Sequence, residues 1–502
     1  MTTTSVLDAT GLFVRRFLTD YVRNPVNLLL LGLVPAVFVF AASGALAEVG
    51  NLLGGPSGPG TQVISAGWAA GVIAAVGMYF QVRGAHAADR RVVLAGLPAA
   101  RLVTARLATG LALAALATTT ALLALAVRTD VPSPARVIAG TAMFALIYLA
   151  VGALVGVAVR SPVNGTVLIL FVWIADVFFG PLFGGLDRPA TRALPTHFVT
   201  LWMVDLPSRH AGRPGDLGWA VAWTIGALTL SWAVIAATSR LGRAAHRAGR
   251  PAGPGRQLTG LLAAGLRERA RTPVLAVLLV VVPAVFILGA VAVTPDADLT
   301  LRLTDGGREL TEHLSMRDTH GGTMAPIAIG ALAALTGLFA VLDARAADRR
   351  LILAGARVPV LLTARLGMVG LSAGLVTAVS LAATALVFEP RQWPVYAAAN
   401  LLVAAVYALV GVVLGPLVGR VAGVFVAFLV PFLDLGLVQS PMLGDTPAWG
   451  RLLPGWGAYQ ILNDGAFTTG FDQLTGLAAT GAWLAGLAVA ALLLFRPARA
   501  HR

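Results

Sequence analysis

The chain has 502 residues, 57% of them hydrophobic and 12% charged, at a mean hydropathy of +0.82. Soluble globular chains carry about 25% charged residues, so this composition excludes a soluble globular protein and indicates an integral membrane protein. There is no cysteine, hence no disulfide, thiolate metal site or cysteine nucleophile. All the basic side chains behind the net charge of +14 are arginines, and a chain without lysine cannot contain a P-loop, whose G-x-x-x-x-G-K-S/T places lysine on the terminal phosphates.

The absence of lysine codons points to GC-rich coding, and so to a bacterium. If ATP drives this chain, the ATPase lies on another polypeptide.

In chain order, the first predicted element is an amphipathic helix over 5–24. "FVRRFLTDYVR" places Phe13, Val14, Phe17, Leu18, Tyr21 and Val22 on one face and Arg15, Arg16, Thr19, Asp20 and Arg23 on the other. Ser5-x-x-Asp8 caps its start and Pro25 ends it. Such a segment lies in the membrane interface, either as an anchor alone or as a docking surface too.

Crossing the hydrocarbon takes about 20 mostly apolar residues. Such runs predict spans near 26–46, 63–82, 105–127, 137–158, 163–184 and 217–239, then 273–293, 323–342, 364–387, 394–418, 421–440 and 473–495. The first run is too long for a cleavable signal peptide, and a helical segment precedes it. Twelve spans put both termini on one side. That side holds 26 arginines against 11 on the other, while acidic residues divide 6 to 15. The bias predicts cytoplasmic termini. It assigns the positive charge to orientation, with no nucleic-acid partner expected.

The chain reads as a duplication. "RNPVNLLLLGLVPAVF" (Arg23–Phe38) matches "RTPVLAVLLVVVPAVF" (Arg271–Phe286), and "HAADRRVVLAG" (His86–Gly96) matches "RAADRRLILAG" (Arg345–Gly355) 259 residues later. Tyr148, Gly152 and Gly156 match Tyr407, Gly411 and Gly415; Leu194-Pro195 and Asp205 match Leu453-Pro454 and Asp464. The halves are then 1–241 and 258–502, joined by a cytoplasmic Gly/Pro/Arg-rich linker over 242–257. With six spans each, they form parallel repeats about an axis along the membrane normal. The second interfacial helix falls at 259–272.

The repeated charged phrase lies between spans 2 and 3 and between spans 8 and 9, in segments 85–98 and 344–357. It predicts a short helix with charges on one face, suited to a groove in a partner protein. The plainer reading is that its arginines only hold the loop inside. The Ala-Ala-Asp-Arg-Arg order kept in both copies favours a shared contact.

Two charges fall within spans: Asp176 in "WIADVFFGP" and Asp434 in "PFLDLGLVQSP". Charges there are costly and mark function or helix breaks. They either face a shared cavity, with Trp173, Phe178 and Phe179 as apolar contacts, or accept hydrogen bonds where their helices break before Pro181 and Pro441. The Gly-x-x-x-Gly pairs 152/156 and 411/415 read as close helix packing. "GLSAG" (Gly370–Gly374) mimics a nucleophile elbow, but that motif needs a strand-to-helix turn; inside span 9 it reads as small-residue helix packing. No catalytic constellation is visible, so the chain is not expected to be an enzyme.

With these features the sequence resembles the permease subunit of type-2 ABC exporters, the class related to the G-subfamily transporters. The likeness is to the fused form with two six-span halves seen among bacterial exporters of drugs and polyketide antibiotics. It implies an all-α membrane fold of twelve transmembrane helices in two parallel six-helix repeats. It implies connecting helices at Phe13–Arg23 and Leu261–Arg271, and coupling helices seated on an ATPase subunit through His86, Asp89, Arg90 and Arg91 and through Arg345, Asp348, Arg349 and Arg350.

It further implies a chain dipping back into the membrane over Gly185–Asp216 and Pro441–Asp472, with Trp456 and Tyr459 at a lipid interface, and a substrate path lined by span 5 with span 2. That path would include Asp176, Asp434, Trp173, Phe178 and Phe179. ATP and Mg would sit on two copies of a separate ATPase, with no cofactor in this chain. A hydrophobic or amphiphilic compound would leave across the bacterial cytoplasmic membrane, among its lipids. The alternative is a secondary transporter of the major-facilitator type, which also has two six-span halves and a D-R-x-G-R-R/K loop. "AADRR" lacks that glycine and second basic pair.

Overall fold

With no water in the hydrocarbon, a spanning backbone must satisfy its polar groups internally, and a single segment does this only as a helix. The computed structural model describes residues 11–19, 23, 25–52, 62–182, 189–206, 208–238, 273–305, 308–344, 350–351 and 358–494. It divides into two units, Met1–Ala248 and Gly249–Arg502, with the boundary inside the segment read as a linker.

In the first unit, α1 covers 11–19. Among the described residues, six longer α-helices and one short one follow: α2 (Pro25–Leu52), α3 (Ile64–Leu94), α4 (Ala99–Arg128), α5 (Pro134–Ala158), α6 (Pro162–Phe179), the short α7 (His197–Met203) and α8 (Pro214–Thr238). The second unit contains α9 (Pro273–Val293), a hairpin of β1 (Asp298–Asp305) and β2 (Arg308–Ser315), α10 (Met316–Leu342), α11 (Val358–Thr384), α12 (Trp393–Val418), α13 (Arg420–Leu433), α14 (Trp456–Phe467) and α15 (Leu474–Leu494).

Each predicted span coincides with a helix. Among the described residues, eleven helices are long and apolar enough to cross a membrane; α2 holds a shorter apolar stretch, Leu31–Gly44. Large apolar side chains such as Leu29, Val127, Trp219, Leu386 and Leu492 stay exposed. A protein in water rarely leaves so much apolar surface open.

The core of each unit is one helix pair. In the first, α3 lies along α5; in the second, α10 lies along α12. Glycine makes the approach possible. A Cβ at Gly152 would overlap the Ala75 carbonyl oxygen, and one at Gly411 the Ala334 carbonyl oxygen. The Gly-x-x-x-Gly pairs thus pack helices backbone to backbone. "GLSAG" differs: Ser372 is buried and bonds the Met368 carbonyl, but a Cβ at Gly370 or Gly374 would meet nothing within 4 Å. Helix–helix packing at those glycines is therefore not what the structure shows.

The hairpin between α9 and α10 was not expected. β1 and β2 are antiparallel, from Asp298 opposite Ser315 to Asp305 opposite Arg308. Helix α10 begins at Met316, seven residues before the predicted span. Its first turns are polar, but Thr319, His320 and Thr323 are buried and bonded, His320 Nδ1 lying 2.6 Å from Thr294 Oγ1.

Candidate functional site

The first candidate site lies where α1, α3 and α4 meet. Helix α3 has 31 residues, about 46 Å at 1.5 Å per residue, against a hydrocarbon core of about 30 Å. Its apolar part is Ile64–His86, so the last two turns project beyond it. Here the structure corrects the expected short separate helix: His86, Asp89, Arg90 and Arg91 ride on a continuation of span 2. Alanine and arginine keep the helix going, and no proline interrupts it.

The stop is local. Gly96 adopts φ +101°, its amide donates to the Val93 carbonyl and that of Leu97 to Val92. This is a Schellman cap, in which glycine takes the left-handed position. Pro98 then caps α4, which returns alongside α3.

The reversal brings Arg106 onto Asp89. Arg106 Nη2 lies 2.7 Å from Asp89 Oδ1, and Nε 3.0 Å from Oδ2, a two-pronged pair. The side chains are 12% and 18% exposed, so solvent screens the pair less than a surface ion pair. The Phe17 ring of α1 lies 3.6 Å from the guanidinium carbon, a cation–π contact. Gln81 Nε2 donates to the Arg106 carbonyl at 3.1 Å. Three elements are tied at one arginine.

His86 and Arg90 are half-buried and Arg91 is exposed. In the second copy, Arg350 is exposed, while Arg345, Asp348 and Arg349 lie outside the described residues, as does the interfacial segment 259–272.

The second candidate site surrounds the intramembrane acids. Asp176, near the end of α6, is 5% exposed. It accepts from the Tyr148 hydroxyl of α5 at 2.8 Å and from both the hydroxyl and the amide of Thr196. Thr196 is the N-cap of α7. Asp434, 1% exposed, opens a turn of π-helix that extends α13 over Asp434–Val438. It accepts from the Tyr407 hydroxyl of α12, from Gln439 Nε2 at 3.0 Å and from the Gly455 amide at 2.7 Å. Gly455 is the N-cap of α14.

Each acid therefore pins the start of the helix that follows the break, and each is held by a tyrosine from the central pair. The anionic end of the contact faces the amide end of a helix, the favourable sense. Gly455 must be small: a Cβ there would lie 2.8 Å from both Asp434 Oδ2 and the Tyr407 hydroxyl oxygen.

The proposed apolar contacts divide. Trp173 is buried, gives its indole N–H to the Trp68 carbonyl at 3.1 Å and packs edge-on to Phe38. Phe178 and Phe179 are half-buried at the end of α6. Tyr459 is fully buried, a correction to its expected place at a lipid interface, while Trp456 is half-buried. Sequence reasoning missed Arg106 and Thr196, and read Phe17 only as part of an apolar helix face. The Tyr148/Tyr407 repeat was the available signal for the acids' partners.

No curated protein matches the sequence. Residues 64–240 match the family model described as ABC-2 family transporter protein, a stretch that runs from the start of α3 past the end of α8 and holds Asp89, Arg106, Asp176 and α7. The chain is thus a multi-pass membrane protein whose residues 64–240 are similar to the membrane domain of ABC-2 family transporters.

Proposed function

We propose that the chain is the permease of an ATP-driven exporter whose ATPase is a separate subunit. Two ATPase copies engage it, one through the end of α3 around Arg90 and Arg91, the other through 344–357. It exports a hydrophobic or amphiphilic compound across a bacterial cytoplasmic membrane, with both termini inside. The observation that carries this reading is the unbroken α3. Its projecting end presents arginines, and its other turns form the buried centre of the unit. A packed helix moves as a rigid body, so force applied at Arg91 reaches the α3–α5 contact at Gly152. The Asp89–Arg106–Phe17 knot keeps that end from bending independently of α1 and α4.

Substrate and direction rest on the resemblance of the sequence to drug and antibiotic exporters. Phe178 and Phe179 retain surface for an apolar ligand. Asp176 and Asp434 are better read as holding the two re-entrant helices than as ligand contacts, because their oxygens are occupied within their own units.

The test is to look for a P-loop ATPase encoded beside this chain and to reconstitute the two together. ATP hydrolysis rises on adding the permease, and Arg90→Glu with Arg91→Glu abolishes the rise while membrane insertion persists. Transport on an ion gradient with nucleotide depleted would instead support the major-facilitator alternative.

A further inference from the structure

The knot at Arg106 leaves a cleft of about 450 Å³ beside it. Phe13 and Phe17 of α1 form one wall, Phe80 and Val92 of α3 a second, and Leu102 of α4 a third. Three charged side chains line it: Asp89, Arg106 and Arg16. The first two neutralise each other. Arg16 is exposed and has no acidic partner among the described residues. Among the described residues, the cleft is thus lined mostly by apolar side chains, with Arg16 as the one charge at its rim that no described acid pairs.

We propose that this cleft binds a single anionic glycerophospholipid, its phosphodiester on Arg16 and its glycerol and upper acyl carbons against Phe13, Phe17, Phe80 and Leu102. A soluble phosphate would gain nothing from those rings, whereas a lipid gains both apolar burial and the charge. Helix α1 is amphipathic in sequence, and an interfacial helix meets lipid at headgroup depth. Among the described residues, and in the sequence of the matching segment, the site occurs once. The register that aligns Arg23 with Arg271 sets Ala264 against Arg16 and Gly265 against Phe17, so the second copy lacks both the charge and the ring. The inference is independent of any ATPase partner.

Native mass spectrometry of the purified full chain tests it, titrating phosphatidylglycerol and phosphatidylcholine with identical acyl chains. One phosphatidylglycerol binds about fivefold tighter than phosphatidylcholine, the effect of about one arginine near a lipid surface. Arg16→Gln removes that preference. Arg15→Gln, at an exposed neighbour that does not line the cleft, leaves it intact. Glycerol 3-phosphate at millimolar concentration does not displace the lipid. Equal loss in both variants, loss in neither, or no headgroup preference overturns the proposal. Displacement by glycerol 3-phosphate overturns it too, by showing a site for soluble phosphate.

Discussion

Tyr148 gives its hydroxyl to Asp176 at 2.8 Å across the α5–α6 contact, and Tyr407 does the same for Asp434 in the second unit. The repetition extends to the next link. Each carboxylate also receives the amide of the residue that starts the following helix, Thr196 in one copy and Gly455 in the other. The details diverge where the sequences do. Thr196 adds its own hydroxyl, whereas Gly455 has none and Asp434 takes Gln439 in its place. The two units share this geometry and differ in the donors that complete it.

Removing the acid should therefore loosen the helix that follows the break before it alters any ligand contact. In Asp176→Leu the Thr196 amide, the Thr196 hydroxyl and the Tyr148 hydroxyl lose a buried acceptor. A hydrogen bond to a charged group contributes about 1.5–3 kcal/mol, and a buried group left unpaired costs about 1–3 kcal/mol. The variant should melt at lower temperature than wild type and be cut faster by protease between α6 and α8. Asp434→Leu should behave alike between α13 and α15. An unchanged melt with a changed set of exported compounds would return the acids to the substrate path.

Glycine substitutions separate packing from mere composition. Gly152→Ala drives a methyl into the Ala75 backbone, and Gly411→Ala into that of Ala334; neither backbone can yield without parting α3 from α5 or α10 from α12. Both variants should lose monodispersity on size exclusion. Gly374→Ala, with open space at its Cβ, should be as stable as wild type or better, since alanine is favoured over glycine in a helix by about 1 kcal/mol. Equal behaviour of the three variants would refute the close approach.

The spans were legible because hydrocarbon sets a minimum apolar length that few other structures imitate. Elements not governed by that rule were harder to see. The hairpin carried its own signal, the alternation of Leu299, Leu301 and Leu303 ahead of Asp305-Gly306-Gly307, but on a hydropathy scale it resembles any polar loop. The start of α10 was hidden because Thr319 and His320 count as polar, although their bonds to Ser315 and Thr294 let them be buried. The continuity of α3 past His86 was lost for the same reason: apolarity falls there while helix propensity does not. Asp176 and Asp434 stood out as intramembrane charges, and the tyrosines as repeat matches. Nothing in either local pattern linked them, because the contact spans 28 residues in one unit and 27 in the other.

The Asp89–Arg106 pair was beyond reading for a related reason, since it forms only once α4 doubles back on α3. It yields the sharpest test of how α1, α3 and α4 are joined. In Asp89→Ala, Arg106 loses its anion, and Phe17 loses a cation held in place. Breaking a poorly exposed pair by removing one partner is destabilising, by up to about 3–5 kcal/mol when it is fully buried; with 12% and 18% exposure the effect here is smaller. Exchanging the charges, Asp89→Arg with Arg106→Asp, restores the attraction but puts the guanidinium on α3, away from Phe17. A double-mutant cycle therefore separates the ion pair from the ring contact. Thermal stability should fall in each single variant and recover partly in the exchange, while a spin-label distance between α1 and the end of α3 should stay broadened. Full recovery of both would show that the ring adds nothing. Recovery of neither would show that the pair does not join these helices.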